Sequence, residues 1–157
     1  MNCYTCGAEL ELRHHVHEED VGGVVVRDGS TMMPICVNCG EVAISANAKN
    51  MYELRAAALV LRDGRRVNGD VLRYARKALG LRQTDLARIL EVGAEWISRW
   101  ETGGAMATRS HQLAIVALLD DAWMRLYGGQ ELRQAPPADS NEPIEAPALP
   151  EKMQRCA

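Results

Sequence analysis

Two five-residue clusters, Cys3-Tyr4-Thr5-Cys6-Gly7 and Cys36-Val37-Asn38-Cys39-Gly40, constrain this chain more than anything else in it. A C-x-x-C pair lets one turn of backbone aim two sulfurs at a single ion, and two such pairs complete a tetrahedron. Cys3, Cys6, Cys36 and Cys39 therefore predict one structural zinc ion. The glycine after each second cysteine fits this reading. There the chain turns sharply so that backbone N–H groups point at sulfur, and glycine allows the required φ > 0. Two disulfides or a redox pair are the alternatives. A thioredoxin-like motif needs one C-x-x-C beside a βαβ pattern, and none surrounds either pair. Disulfides suit a secreted chain, and no apolar run precedes Cys3. Full thiolate ligation leaves no open position for water, which favours a structural over a catalytic metal. Iron suits the same donors. His14, His15 and His17, between the pairs, read as a solvated strand face and not as competing ligands.

At 157 residues the chain has room for one medium domain or two small ones. No stretch approaches the roughly 18 apolar residues of a membrane span. The expected compartment is the cytoplasm, where thiols stay reduced. Net charge is −3, but the charges are segregated. Residues 1–50 hold seven Asp/Glu against three Lys/Arg, residues 51–127 hold nine against twelve, and residues 128–157 hold five against three. A basic middle between acidic ends points to phosphate binding there.

The expected class is α+β: a small zinc-ribbon-like head with a short antiparallel sheet, then an all-α domain. In the head, residues 9–17 partly alternate apolar and polar, Gly22-Gly23 punctuates, and Val24-Val25-Val26 is a β-branched run. Asp28-Gly29 is a hairpin turn signal. These predict three strands with a knuckle at each end. So short a head buries little core, so metal binding, about 10–16 kcal/mol for structural zinc in peptides, supplies much of its folding free energy. A helix over 48–62 completes a zinc-binding unit of residues 1–62, and the polar stretch 63–69 reads as a linker. Residues 70–128 read as helix after helix: 70–79 with Asp70 as a possible N-cap and Gly80 as terminator, 82–90, 94–101, and 109–127 after Thr108. Residues 129–157 hold five of the six prolines among acidic and small residues, and Cys156. They read as a disordered or extended tail with a free thiol.

Within residues 79–103, Leu86, Leu90, Val92, Ile97 and Trp100 are spaced to meet in one core across a tight turn. Core packing alone explains those positions. The run Leu81-x-Gln83-x-x-Leu86-Ala87-x-x-Leu90-x-Val92, then Ile97-Ser98-Arg99-Trp100-Glu101-x-Gly103, resembles the lambda-repressor/XRE class of helix-turn-helix domains. With the doubled C-x-x-C-G head before it, the chain resembles the MqsA (YgiT-type) antitoxin family over residues 1–127. The resemblance implies a zinc head that inhibits a partner RNase toxin. It also implies a helix-turn-helix domain that dimerises and represses the operon encoding both proteins. Gln83 matches a glutamine that braces phosphate and the recognition helix, and Arg99 matches a base-reading arginine. Glu95 stands where the family tends to carry asparagine, which implies either a different operator or a Glu95 that does not touch bases. Gly93 replaces the usual Ser/Thr N-cap.

Ala94, Glu95, Trp96 and Arg99 are thus the candidate groove face, with Gln83, Arg82 and Arg109 beside it. Arg65, Arg66, Arg73, Arg76 and Arg88 are further candidate phosphate clamps. A bidentate Arg99–guanine contact is worth about 1–3 kcal/mol. Arg99 pairing with Glu95 or Glu101 on a solvated face is the alternative. Trp100 reads as core. Trp123 with Leu119, Leu126 and Tyr127 completes the core or forms a dimer seam. The expected function is a dimeric repressor of a palindromic operator and an antitoxin. A free-standing regulator sensing zinc or oxidants is the alternative. No nucleophile–base pair, glycine-rich phosphate loop or open metal position argues for an enzyme.

Overall fold

The computed structural model describes residues 1–127 and 143–146. Two long antiparallel strands lead, β1 (Leu10–Val21) and β2 (Val24–Cys36). Their register runs from Leu10↔Cys36 to Val21↔Val24, with one irregularity between His15 and His17. The chain reverses at Gly22-Gly23, whose φ angles are 61° and 90°. Positive φ at both central residues matches the twist of the flanking strands. The expected turn at Asp28-Gly29 is therefore corrected. Asp28 lies inside β2, buried and ion-paired with Arg55, so tertiary pairing overrides the local turn signal. The expected three head strands become two long ones, and both cysteine knuckles sit together at their open end.

The sheet does gain a third member, but from the tail. β3 (Ile144–Glu145) pairs parallel to β2, giving the order β1-β2-β3. The expectation of a tail that buries little is overturned at residues 143–146, because Ile144 is 1% exposed. The rest of that expectation, Cys156 included, falls outside the described residues.

Five helices follow the hairpin. α1 (Ala46–Asp63) starts at Ser45, whose Oγ accepts from the Ala48 N–H at 3.1 Å, and ends at Gly64. α2 (Gly69–Ala78) is capped by Asn68, whose Oδ1 accepts from the Val71 N–H at 3.0 Å. Asp70 is thus not the N-cap; it lies within the first turn, where its carboxylate faces Arg73 at 3.4 Å. Then come α3 (Gln83–Ile89), α4 (Ala94–Glu101) and α5 (Arg109–Tyr127). Thr108 caps α5 by accepting from the His111 N–H at 3.4 Å.

α1 is the axis of the core. It is buried continuously from Leu54 to Leu61, as a helix covered on every side must be. It packs along α5 and against α2 and the hairpin. Its run Ala56-Ala57-Ala58 lets these neighbours approach closely. Ile115, Leu119 and Trp123 of α5, Val71 and Ala75 of α2, Leu86 of α3, and Ile97 and Trp100 of α4 join it. Val21, Val24, Val26 and Met33 of the hairpin enter the same core. Leu119 and Trp123 are thus interior, while Leu126 is exposed.

Candidate metal centre and nucleic-acid interface

The strand pairing Leu10↔Cys36 brings the two knuckles side by side. Each is built alike. The Cys3 N–H donates to Ala8 O and the Cys36 N–H to Glu41 O, both at 2.8 Å. Gly7 (φ 77°) and Gly40 (φ 74°) close the turns, donating to Cys3 O at 2.9 Å and Cys36 O at 3.1 Å. The cysteines are free. Their Sγ atoms lie 3.6 Å apart for Cys3–Cys39, 3.4 Å for Cys6–Cys36 and 3.6 Å for Cys6–Cys39. All four fall within 4.8 Å of one another. Sulfurs held tetrahedrally about 2.3 Å from zinc lie roughly 3.8 Å apart, so the donor set fits one such ion. Disulfide sulfurs would lie about 2.0 Å apart.

Backbone N–H groups bias these thiols toward the anion. The Cys6 N–H lowers the Cys3 pKa, the Ala8 N–H that of Cys6, and the Cys39 N–H that of Cys36. Cys39 receives the Glu41 N–H, yet the Cys36 thiol, desolvation and the other two sulfurs push it up to about 12. Negative charge gathered on neighbouring sulfurs opposes loss of the last proton, and a divalent cation would relieve that repulsion. The ion would be held by Cys3, Cys6, Cys36 and Cys39, and would supply a cross-link between the two knuckles. His14, His15 and His17 all lie outside this donor set; His14 is exposed as expected, but His17 is not solvated, its side chain 12% exposed and bonded to Glu19 at 3.0 Å.

The second candidate surface is the outer side of α3 and α4. Ile97 (1% exposed) and Trp100 (5%) point inward, which turns Trp96 (44%) and Arg99 outward. The Arg99 guanidinium stacks over the Trp96 ring, 5.0 Å from its centroid. It is not paired with Glu101, which is buried. Gly93 lacks a side chain to cap α4, and Glu95 folds back over it. A Cβ added there would meet the Glu95 carboxylate oxygens at 2.2 and 2.4 Å. A carboxylate at a helix N-terminus is favoured by the macrodipole.

The flanking candidates separate into engaged and available. Gln83 Nε2 donates to Glu101 Oε2 at 2.9 Å and so braces the end of α4. Arg82 is exposed and paired with Asp85 at 2.9 Å. Arg109 donates to Leu61 O at 2.6 Å and Arg62 O at 2.5 Å, capping the C-terminal carbonyls of α1. Arg76 donates to both Glu101 oxygens, at 2.5 and 3.0 Å. Arg73, Arg65 and Arg66 also have carboxylate partners, and Arg88 is exposed.

Glu101 is the residue that sequence reasoning missed. Its carboxylate anchors Arg76, Arg73 and Gln83 and so fixes α4 against α2 and α3. Desolvation opposes its charge, but the hydrogen bonds from Arg76 and Gln83 prevail and lower its pKa. The available signal was its spacing of four from Ile97, which sets it on the inward face. Asp28 and Arg55, the ion pair between β2 and α1, were also missed.

No helix among the described residues is long and apolar enough to cross a membrane. No curated protein matches the chain. A family model described as the antitoxin component of bacterial toxin–antitoxin systems, MqsA, matches residues 1–123. That span takes in both knuckles, the hairpin, α1 to α4 and most of α5, and the chain therefore belongs to the MqsA antitoxin family.

Proposed function

We propose that this antitoxin binds one zinc ion through its four cysteines, neutralises an RNase toxin through the zinc-bearing hairpin end, and represses its own operon through residues 70–128. The carrying observation is the convergence of four thiols at one end of a hairpin whose other end is seated in the helical core. That end presents the exposed Cys6 and Cys39 and is separate from the α3–α4 face. It can therefore meet one partner while α4 meets another.

On the DNA side, α4 enters the major groove with Arg99 and Trp96 leading, and Ala94 and Glu95 near the bases. Stacking on Trp96 pre-orients the Arg99 fork for guanine N7 and O6. Glu95 accepts from a cytosine amino group, the one base-edge donor suited to a carboxylate alone. Gln83 acts through Glu101, positioning α4, and Arg82 and Arg88 approach phosphate. A homodimer through the helical domain matches a palindromic operator with half-sites about one helical turn apart. The exposed Leu113 and Met124 on α5 offer apolar surface for that seam.

Co-expression with the product of the adjacent gene tests the toxin half. The expected result is a co-purifying pair and rescue of growth, both lost in Cys36→Ala. A gel-shift on the upstream region tests the DNA half. Binding that falls steeply with salt and is lost in Arg99→Ala is expected, and no shift for the unaltered chain contradicts it.

A further inference from the structure

The outer edge of β2 is held by a segment that lies beyond the family match. β3 contributes only Val26↔Ile144 and Arg27↔Glu145, with the Ala146 N–H donating to Arg27 O at 2.7 Å. Ile144 is 1% exposed and shares a core with Val26 and Ala56. Past Arg27, no strand among the described residues pairs with this edge until the Ile35↔Val42 bridge. The edge is therefore longer than its occupant. A sheet edge is a template for strand addition. Parallel pairing is the weaker kind per residue, and β3 makes only two residues of it.

We propose that the outer edge of β2 accepts an extended strand from a protein partner, and that Ile144–Glu145 is a built-in competitor for it. Arg27 is held by Glu18 at 2.6 Å and sets no charge requirement, while the partner strand carries a branched apolar residue where Ile144 sits. It continues along residues 28–33, gaining ladder bonds that the tail does not make; Pro34, without an N–H, ends the usable stretch. The identification of the partner as the toxin rests on the antitoxin reading above.

The test uses the full chain, Ile144→Asp and Ala146→Pro. The first removes the buried anchor. The second removes only the N–H that bonds Arg27 O, so it stands if the first misfolds. Affinity for the co-encoded toxin is expected to rise about tenfold in both. Affinity within twofold of the unaltered chain, or lower, overturns the proposal while leaving the antitoxin reading intact. A labelled peptide of residues 141–148 (Asn-Glu-Pro-Ile-Glu-Ala-Pro-Ala) supplies a readout that needs no toxin. It is expected to bind Ile144→Asp and Ala146→Pro well above the unaltered chain. Equal binding to all three, or binding to none, overturns the acceptor edge. Peptide binding without any toxin binding removes the antitoxin reading and keeps the edge.

Discussion

At its turn, the β1–β2 hairpin buries Val21, Val24 and Val26 against the helices, none more than 4% exposed. Toward its open end Leu12 and Val37 are 56% and 47% exposed, although Met33 there still reaches the core. The same two strands are thus anchored by apolar burial at one end and have little to bury at the other. The cysteines stand at the second end. A metal ion bound by the four cysteines would cross-link there what hydrophobic area does not, because a structural site returns about 10–16 kcal/mol to folding. The same division separates the partners proposed above: the poorly buried end is free to dock, and the helical body is fixed enough to present α4.

Removing the metal should break this contrast most strongly. With a chelator, or in Cys36→Ala, hydrogen exchange is expected to lose amide protection at residues 1–12 and 35–42. Protection at 21–26 and through α1 and α5 should persist. Uniform loss would mean that the two ends are one cooperative unit.

Asp28→Ala attacks the other end. It leaves the Arg55 guanidinium buried without its carboxylate, since the pair is 3% and 6% exposed. Desolvation already lowers the Arg55 pKa. The expected cost is about 3–5 kcal/mol by chemical denaturation, with metal content unchanged.

Gly22→Ala and Gly23→Ala sharpen the comparison within a single turn. A Cβ on Gly22 would meet Val71 N at 2.5 Å, whereas one on Gly23 meets nothing within 4 Å. Both carry the left-handed penalty of about 1–2 kcal/mol, so denaturation should find Gly22→Ala the costlier of the two.

Acid separates the ends as well. Glu101 and Glu19 both titrate below the ordinary 4.5, held there against desolvation by Arg76 and Gln83 in one case and by His17 and Tyr74 in the other. A depressed folded pKa gives stability that is complete above the unfolded value and lost as pH falls through the folded one. Circular dichroism should therefore find the helices intact down to about pH 4.5. Metal, which competes with protons for thiolates, should leave the cysteine end at higher pH. Arg99→Ala is the smallest perturbation, with stability within about 0.5 kcal/mol of the unaltered chain.

Much of this was legible in the sequence. The doubled C-x-x-C-G fixed the cysteine cluster, and the helices over 94–101 and 109–127 fall where capping and periodicity put them. Local signals failed where a distant residue decides. Asp28-Gly29 spells a turn, but Arg55, 27 positions on, makes Asp28 a core residue. Arg109 reads locally as a phosphate clamp, and the sequence does not announce that α1 lays its terminal carbonyls against it. Ile144 sits among prolines and acids, and nothing near it in the chain announces a strand. Glu101 was readable as a charge but not as an anchor, because its partners come from α2 and α3.

Native mass spectrometry of the purified chain, before and after chelation, tests the metal-held hairpin end most directly. One zinc ion per chain is expected, absent in Cys36→Ala, with exchange protection lost only around the knuckles once it is stripped. A chain that carries no metal as isolated and still protects residues 1–12 and 35–42 would contradict it.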